Sequence, residues 1–367
     1  MVEWKKLGEV CSVHTGSQLN RNDMIEDGLY PVVNGGKEFS GYTNSYNETA
    51  NNITISQGGE SAGYVNWIQS NFWAGAHCYV VEHDAIIDKR YLYHTLKNKE
   101  RDIQLSKQGA GIPGLNRVTL YKQIIPIPSL SEQTRIVGIL DTFTAYIENL
   151  KEQIAQRRKQ YTHYRDQLLD LEGKEGVEMK TLGEIGEFIR GNGIQKSDFV
   201  EDGFCCIHYG QIHAKYGFSA KETISKIEES LYKRCKKAKK GDVVLATTSE
   251  DAEGVAKPFV WLGEDDAAVS GDAYIYHHNQ IGKFMGYQFL THKFMQFKVK
   301  YATGAKVVRI SGDNMAKYEV FLPSIEEQSR IVSILDTFEA SIQNLEAQLK
   351  EREKQYEYYR NKLLTFE

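Results

Sequence analysis

Two stretches of the chain repeat their apolar positions with a period of seven residues. The steps alternate between four and three along 136–168 and again along 331–363, and Arg157 and Arg352 occupy the one seam position in each stretch that is not apolar. Such a pattern predicts two long helices that pair as a coiled coil. We expect an antiparallel pair, because the chain must cross a compact domain and return. The open alternative is an amphipathic helix that packs on its own globular domain.

The predicted helices begin with the same signal. Ser129 and Glu132, like Ser324 and Glu327, have the S-x-x-E spacing of a capping box and directly follow a proline. In such a box the serine accepts from the amide three residues on, and the glutamate reaches back to the serine amide. We therefore expect each long helix to start at this box.

These helices belong to a long internal repeat. PSLSEQTRIVGILDTF (128–143) matches PSIEEQSRIVSILDTF (323–338) at a shift of 195, and from Gln133 onward about 22 of 37 positions are identical. A weaker match places 4–16 on 179–191 at a shift of 175. The second half has therefore gained about 20 residues in its interior.

Short apolar runs bounded by turn residues fill the block before each helix, and they predict an α+β domain. The expected strands lie near 30–36, 51–59, 77–84, 124–127, 204–210, 241–248, 272–278 and 318–323, with helices near 91–107 and 281–298. The expected divisions are a globular domain at 1–128, a helix at 129–170, a linker at 171–178, a globular domain at 179–323 and a helix at 324–367.

Composition narrows the class of protein. The chain has 367 residues and a formal net charge of −4, which predicts at least two domains and argues against a uniformly basic nucleic-acid coat, although a local basic patch stays open. Five cysteines without a CxxC pair indicate reduced thiols. Because no apolar run approaches 18 residues, we expect a soluble, cytoplasmic protein with no membrane partner.

Common sequence patterns of catalysis are missing from the chain. It contains no G-x-x-x-x-G-K-[ST] nucleotide loop, no [DNS]-P-P-[YF] amino-methyltransferase site, and no H-E-x-x-H or Cys/His quartet. We therefore predict a non-catalytic chain without a cofactor or metal site of its own.

On these residues the chain resembles the specificity subunit of type I restriction–modification systems, over essentially its whole length. The specific likeness is the doubled helix entry in IPIPSLSEQTRIVGILD (125–141) and FLPSIEEQSRIVSILD (321–336). The LGE opening of each half, the glycine-rich ISQGGESAGYV (55–65) and the strand GDVVLATT (241–248) are similar to weaker motifs of that family.

The resemblance implies DNA recognition without catalysis. It implies two target-recognition domains that alternate with two helices, each domain reading one half of a split, asymmetric site in double-stranded DNA. The helices would set the gap between the halves and dock two methyltransferase subunits, which use S-adenosylmethionine to modify adenine. Motor-nuclease subunits would complete the restriction complex.

Loop residues near strand ends are the candidates for DNA contact, because amides pair with adenine edges, arginine pairs with guanine and lysine binds phosphate. They are Gln57, Ser61, Asn66, Gln108, Asn116 and Arg117 in the first domain, and Gln211, Thr247, Thr248, Ser249, Lys306, Arg309 and Ser311 in the second. The late loops 109–117 and 304–311 are the stronger candidates, since they occupy matching places. For each residue the alternative is a hydrated surface loop.

Two other functions stay open at this point. The chain could be a specificity subunit paired with a different modification–cleavage enzyme, or a coiled-coil adaptor that binds proteins or carbohydrate. Divergent globular blocks beside near-identical helices favour DNA reading, because a scaffold has less reason for that contrast.

Overall fold

A computed structural model describes residues 2–108, 113–304 and 306–366 of the chain. The chain divides into two units, the first containing residues 1–152 together with 346–367 and the second containing residues 153–345. The divisions fall within both long helices. Each unit therefore combines one globular block with a segment of each long helix.

The first unit is built from short strands and short helices that precede a long helix. They are β1 (Glu3–Lys6), β2 (Cys11–Thr15), β3 (Tyr30–Val33), β4 (Gly41–Thr43), β5 (Asn52–Ser56), β6 (Val65–Ile68), β7 (Trp73–Ala74), β8 (Cys78–His83), α1 (Lys89–Asn98), α2 (Glu100–Leu105), α3 (Arg117–Tyr121), β9 (Ile124–Ile127) and the start of α4 (Leu130–Leu169). One sheet has the order β2-β8-β5-β6, another has the order β4-β3-β7, and β1 pairs with β9. Buried side chains such as Ile53, Tyr91 and Leu120 form the main core.

The second unit has more elements than the first. They are β10 (Glu178–Thr181), α5 (Leu182–Ile185), β11 (Gly186–Arg190), β12 (Phe199–Val200), β13 (Phe204–Ile207), α6 (Tyr209–Ala214), β14 (Ser219–Ala220), β15 (Ser225–Ile227), α7 (Glu229–Arg234), β16 (Lys237–Ala238), β17 (Val243–Ala246), β18 (Thr248–Ser249), β19 (Lys257–Trp261), β20 (Ala267–Val269), β21 (Ala273–His278), α8 (Gly282–Gln288), α9 (His292–Tyr301), β22 (Val308–Arg309), α10 (Gly312–Met315), β23 (Glu319–Leu322) and the start of α11 (Ile325–Leu364).

The second unit repeats the topology of the first and adds to it. Its order β11-β21-β17-β19 corresponds to β2-β8-β5-β6, with β14 as an added edge strand. The parallel pairing of β13 with β20 corresponds to that of β3 with β7. The interior gain expected from the sequence lies in the connections that carry α6 with β14 and α7 with β16.

The predicted mixture of helices and strands is confirmed, and each predicted strand overlaps an observed one. The helix expected near 91–107 is two helices, because Lys99 leaves the helical conformation at φ −90° and ψ 5° between α1 and α2. The helix expected near 281–298 is also two, since Thr291 has extended backbone and caps α9 by accepting from Phe294 N at 3.2 Å.

The caps of the long helices agree with the sequence in one of their two expected bonds. Ser129 Oγ accepts from Glu132 N at 3.4 Å. The Glu132 carboxylate, expected to reach back to the serine amide, instead accepts from Arg135 at 2.8 and 2.6 Å. Both arrangements are charge-assisted, but the guanidinium offers the carboxylate two bonds where the serine amide offers one. The same contacts recur at Ser324, Glu327 and Arg330.

A fully buried glutamine joins the start of α4 to the start of α1. Gln133 Oε1 accepts from Asp88 N at 2.7 Å, and Gln133 Nε2 donates to the carbonyls of Ile86 at 3.1 Å and Pro128 at 2.9 Å. Asp88 in turn caps α1 by accepting from Tyr91 N. The glutamine therefore satisfies backbone groups near the junction of the two helices.

A glutamine also joins the start of α11 to the start of α8 in the second unit, but one of its partners is of a different kind. Gln328, also fully buried, accepts from Ile281 N at 3.2 Å and donates to the Pro323 carbonyl at 3.0 Å. Its third bond, at 2.9 Å, goes to the side-chain oxygen of Gln280. One of its three partners is thus a side chain rather than a backbone group.

Segments of the two long helices contact each other within the first unit. The Phe143 and Tyr359 rings stack with centroids 5.3 Å apart, and Arg352 Cζ lies 4.6 Å from the Tyr146 centroid. The later residue of α4 meets the earlier residue of α11, so these segments run in opposite directions.

The first turns of each long helix pack against the globular block of their own unit. Ile136 and Leu140 are fully buried in the core of the first unit, and Ile331 and Leu335 are fully buried in the core of the second. At these positions the apolar seam serves the domain core, as the amphipathic-helix alternative expects.

All five cysteines lie in described residues and are free thiols. Burial raises the pKa of Cys11, Cys78 and Cys206 to about 12, and it also raises the pKa of Cys235. Cys205, in β13, is half-buried.

Candidate nucleic-acid interface

In the first unit, the glycine-rich turn after β5 and the late loop before α3 lie side by side. Gly58 and Gly114 form a β-bridge, and Gln108 and Gly114 exchange backbone hydrogen bonds of 2.9 and 2.8 Å. Gly59 N donates to the Pro113 carbonyl at 2.9 Å. The φ of Gly59 is +75°, a left-handed conformation that favours glycine at this position of the turn.

Tyr79, in β8, supports both segments. Its hydroxyl accepts from Gln57 Nε2 at 3.0 Å and donates to the Leu115 carbonyl at 3.1 Å. Leu115 N donates to the Gln57 carbonyl at 2.7 Å. The Arg117 guanidinium lies 5.9 Å from the Tyr79 ring centroid. Two sequence candidates, Gln57 and Arg117, thus share one aromatic support.

The place where the turn after β5 meets the late loop is the junction of the first unit, and three further candidates lie there. Gln108 and Asn116 are exposed beside the bridged segments, and Asn116 Oδ1 caps α3 by accepting from Val118 N at 2.8 Å. Ser61 is half-buried within the glycine-rich turn. Residues 109–112 of the late loop lie outside the described residues.

Asn66 lies apart from the others. It is in β6, an edge strand of the sheet, where it pairs with Thr54. Asn66 lines a separate cavity of about 920 Å³ with Trp67, Arg90 and Tyr93. There the Arg90 guanidinium lies 4.6 Å from the Trp67 centroid and 4.8 Å from the Tyr93 centroid.

The second unit forms the equivalent junction with a pair of short strands. β18 pairs with β22, which places Thr248 opposite Arg309. Thr303 and Arg309 exchange backbone hydrogen bonds of 2.9 and 2.8 Å. Ser311 Oγ caps α10 by accepting from Asn314 N at 3.2 Å.

A hollow of about 260 Å³ opens at this junction. Arg190 Nε donates to the Gly271 carbonyl at 2.9 Å, and Thr248 Oγ1 donates to Asp272 Oδ1 at 3.3 Å. Both arginine side chains of the site, Arg190 and Arg309, are exposed. The lining combines four sequence candidates, Thr247, Thr248, Arg309 and Ser311, with Arg190, Asp272, Tyr274, Tyr301, Thr303 and Asn314.

Three candidates of the second unit do not line the hollow. Gln211 is buried in α6, where its Nε2 donates to Ser225 Oγ at 2.6 Å. Ser249 follows in β18, and Lys306 is exposed in the late loop. Ala305, beside Lys306, lies outside the described residues.

Half-buried polar groups support the backbone of this hollow. Lys257 Nζ donates to the His213 carbonyl at 3.0 Å, and His213 Nε2 donates to the Thr248 carbonyl at 2.9 Å. Burial lowers the pKa of Lys257, since charge is costly away from water. The bond from Lys257 to the His213 carbonyl offsets part of that cost. The bond from His213 to the Thr248 carbonyl anchors β18, the strand that contains Thr248.

The sheet that contains Lys257 also contains a half-buried titratable residue, His278. Burial lowers the pKa of His278, in β21, to about 4, and the neighbouring His277 adds to the effect. His278 Nδ1 accepts from Gln280 N at 3.2 Å, a bond that needs the ring to be neutral.

Sheet register makes the two junctions equivalent. Thr15 pairs with Tyr79 at the end of β2, as Arg190 pairs with Tyr274 at the end of β11. The same comparison matches Gln57 with Thr247, Gly58 with Thr248, Gln108 with Thr303, Gly114 with Arg309 and Asn116 with Ser311. Both units thus present matching backbone positions with different side chains.

Sequence reasoning missed Arg190 and Thr303. The signal for Arg190 was available in the weak repeat that aligns 4–16 with 179–191. That alignment matches Arg190 with Thr15, near the start of each half of the chain. Thr303 lies just before the late loop 304–311, and only its bridge to Arg309 brings it to the site.

Comparisons with known proteins agree with this architecture. The family model described as type I restriction modification DNA specificity domain matches residues 1–157 and 174–353. A putative type I restriction enzyme specificity subunit from Haemophilus influenzae is 28% identical, and the match covers 100% of this chain and 96% of that protein. A type I restriction enzyme specificity subunit from Escherichia coli is 29% identical, with 100% of this chain and 94% of that protein covered.

Solved structures support the fold. A type I restriction–modification S subunit from M. genitalium superposes with a TM-score of 0.64 at 19% identity, covering 100% of this chain and 97% of that one. A chain of a type I R-M system complex gives a TM-score of 0.58 at 15% identity, covering 99% and 97%. Over the described residues, the helices include none with the length and apolar character needed to cross a membrane.

Proposed function

The chain belongs to the family of type I restriction–modification DNA specificity domains, and we propose that it reads a bipartite, asymmetric DNA target as a non-catalytic subunit. Each unit would read one half of the target with the junction between its early turn and its late loop. Binding, positioning and base contact are then the tasks of this chain, and chemistry belongs to its partners.

The observation that carries this proposal is the pair of equivalent junctions. Their backbones match through strand pairing, bridges and helix caps, while the side chains at matching positions differ, as Arg309 differs from Gly114 and Thr303 from Gln108. Two similar scaffolds with different side chains suit two different half-sites, because base edges are distinguished by side-chain donors and acceptors.

The near-identical helical blocks support the second part of the proposal. We propose that α4 and α11 pair as an antiparallel coiled coil that spaces the two target-recognition domains and docks two methyltransferase subunits. The stacking of Phe143 on Tyr359 is consistent with such pairing. Two nearly identical helices provide two equivalent docking surfaces. S-adenosylmethionine and adenine modification would reside on these partners, and motor-nuclease subunits would complete the restriction complex.

The direct test is adenine methylation in cells. This chain would be expressed with its methyltransferase partner in a host that lacks adenine methylation, and modified adenines would be mapped by single-molecule sequencing. We expect a two-part motif with a constant gap, absent when this chain is omitted. Soluble, associated proteins without a motif would contradict the proposal and favour an adaptor.

A further inference from the structure

The exposed arginines of the two junctions lie at different backbone positions. Arg117 lies at the end of the late loop of the first junction, whereas Arg190 and Arg309 line the hollow of the second. In the hollow of the second unit, Arg190 and Arg309 are exposed, and Asp272 is part of the same lining. The equivalent positions of the first junction are Thr15 and Gly114, which carry no charge. The difference lies at matching backbone positions, so it is a difference in what each site can recognise rather than in how it is built.

The arginines differ in how firmly they are held. Arg190 Nε donates to the Gly271 carbonyl at 2.9 Å, which orients the guanidinium, and among the described residues its two terminal nitrogens have no hydrogen-bond partner. Arg309 is held through its backbone, which pairs with both Thr248 and Thr303. A guanidinium is suited to two-point recognition, because its planar group is pre-organised and little side-chain entropy is lost per bond formed.

We propose that the second unit reads guanine through Arg190 and Arg309, whereas the first unit reads its half-site without arginine at these positions. This inference rests on the proposed function. A guanidinium can donate to both O6 and N7 of guanine in the major groove, which is the commonest specific contact of arginine with DNA. The half-site of the second unit therefore contains at least one G·C pair.

A phosphate contact is the competing role for these arginines. Phosphate contacts weaken binding to all sequences by similar amounts, whereas base contacts affect one position of the target. Base preference and salt dependence, measured on the same variants, separate the two roles.

The test uses the full chain in complex with its methyltransferase subunits. Wild type, Arg190→Ala, Arg309→Ala and Arg309→Gln would be purified as complexes, and methylation rates would be measured on duplexes that differ at single base pairs of the mapped motif. Both arginines are exposed, so we expect the variants to fold, and co-purification with the methyltransferase checks this.

We expect each alanine variant to lose discrimination at a G·C pair by about 5- to 150-fold, with both affected positions in the same half-site. Arg309→Gln should shift the preference at its position from guanine towards adenine, because an amide pairs with adenine N6 and N7. The other half-site should keep its preferences in all variants.

Three results would overturn the inference while leaving the proposed function intact. They are a wild-type motif without a G·C pair in either half-site, affected positions in different half-sites, and a uniform rate loss on all duplexes with a shallower salt dependence. Failure of the wild-type complex to methylate any motif would instead refute the proposed function.

Discussion

The two junctions offer a comparison of sites on one scaffold. In the first, Tyr79 supports Gln57 through its hydroxyl, and the bridged positions are Gln108 and Gly114. In the second, the bridged positions are a threonine and an arginine, and a further arginine ends the neighbouring strand. Main-chain bonds therefore specify where the matching positions of the two junctions lie, and the side chains at those positions differ while the backbone pairing is kept. The following predictions test this separation, in order of expected effect.

Replacing the two buried glutamines, Gln133 and Gln328, tests whether both units depend on them equally for stability. Gln133→Leu leaves three backbone groups unpaired, so we expect the free energy of unfolding to fall by about 2–4 kcal/mol. Gln328→Leu should cost only about 1–2 kcal/mol, because its partner Gln280 is a side chain that can turn to water. Urea denaturation measures both losses. Equal losses would contradict the prediction, and Gln343→Leu at an exposed helix position is the matched control.

Acid should destabilise the second unit through His278. Its pKa is about 4 in the folded chain and about 6.5 when unfolded, so below pH 6.5 the unfolded chain binds a proton that the folded chain excludes. Stability is then unaffected above pH 6.5 and falls by up to about 3 kcal/mol as the pH drops towards 4. Thermal unfolding across this range measures the loss. His278→Gln should flatten the profile, and an unchanged acid slope in that variant would refute the assignment.

Transplanting an arginine tests the equivalence of the two junctions directly. Among the described residues, a Cβ on Gly114 would meet only the Gln57 carbonyl oxygen, at an ordinary 3.6 Å, so we expect the backbone to accept Gly114→Arg. We expect the first half-site to gain a preference of about 10-fold for guanine at one position, measured by methylation of single-substitution duplexes. Gly114→Ala is the control for the loss of glycine. A changed base preference in the second half-site would contradict the equivalence of the two junctions.

The smallest expected effect belongs to Lys306, which is exposed in the late loop and does not line the hollow. If it contacts phosphate, Lys306→Ala should weaken binding similarly on all duplexes and reduce the slope of log affinity against log salt by about 1. Titrations of the complex at several salt concentrations measure the slope. A change in base preference would instead place Lys306 at a base edge.

Local sequence patterns were sufficient to predict the two long helices and eight of the strands, but not the other strands of the described residues. Short apolar runs bounded by turn residues located those eight strands, and the heptad pattern with its capping boxes located the long helices. Side-chain placement depends on register, which a single sequence does not contain. Asn66 illustrates this, since it lies in β6, where it pairs with Thr54, and lines a different cavity.

The connections that the second unit has gained are a second reason why the observed positions of side chains differ from the predicted ones. Gln211 lies in α6, within a connection that has no helical counterpart in the first unit, and its amide is bonded to Ser225. Arg190 was missed for the opposite reason, because it lies in a repeated strand whose match with the first unit is weak. Residue type suggested the candidates, and strand pairing determined which of them meet.

The uneven burial of the thiols makes the two units separately observable. Four cysteines are buried with raised pKa values, so they present little reactive thiolate, whereas Cys205 is half-buried in the second unit. A maleimide fluorophore should therefore attach selectively to Cys205 in the folded chain. Such a dye would report the unfolding of the second unit alone, while intrinsic fluorescence follows the whole chain.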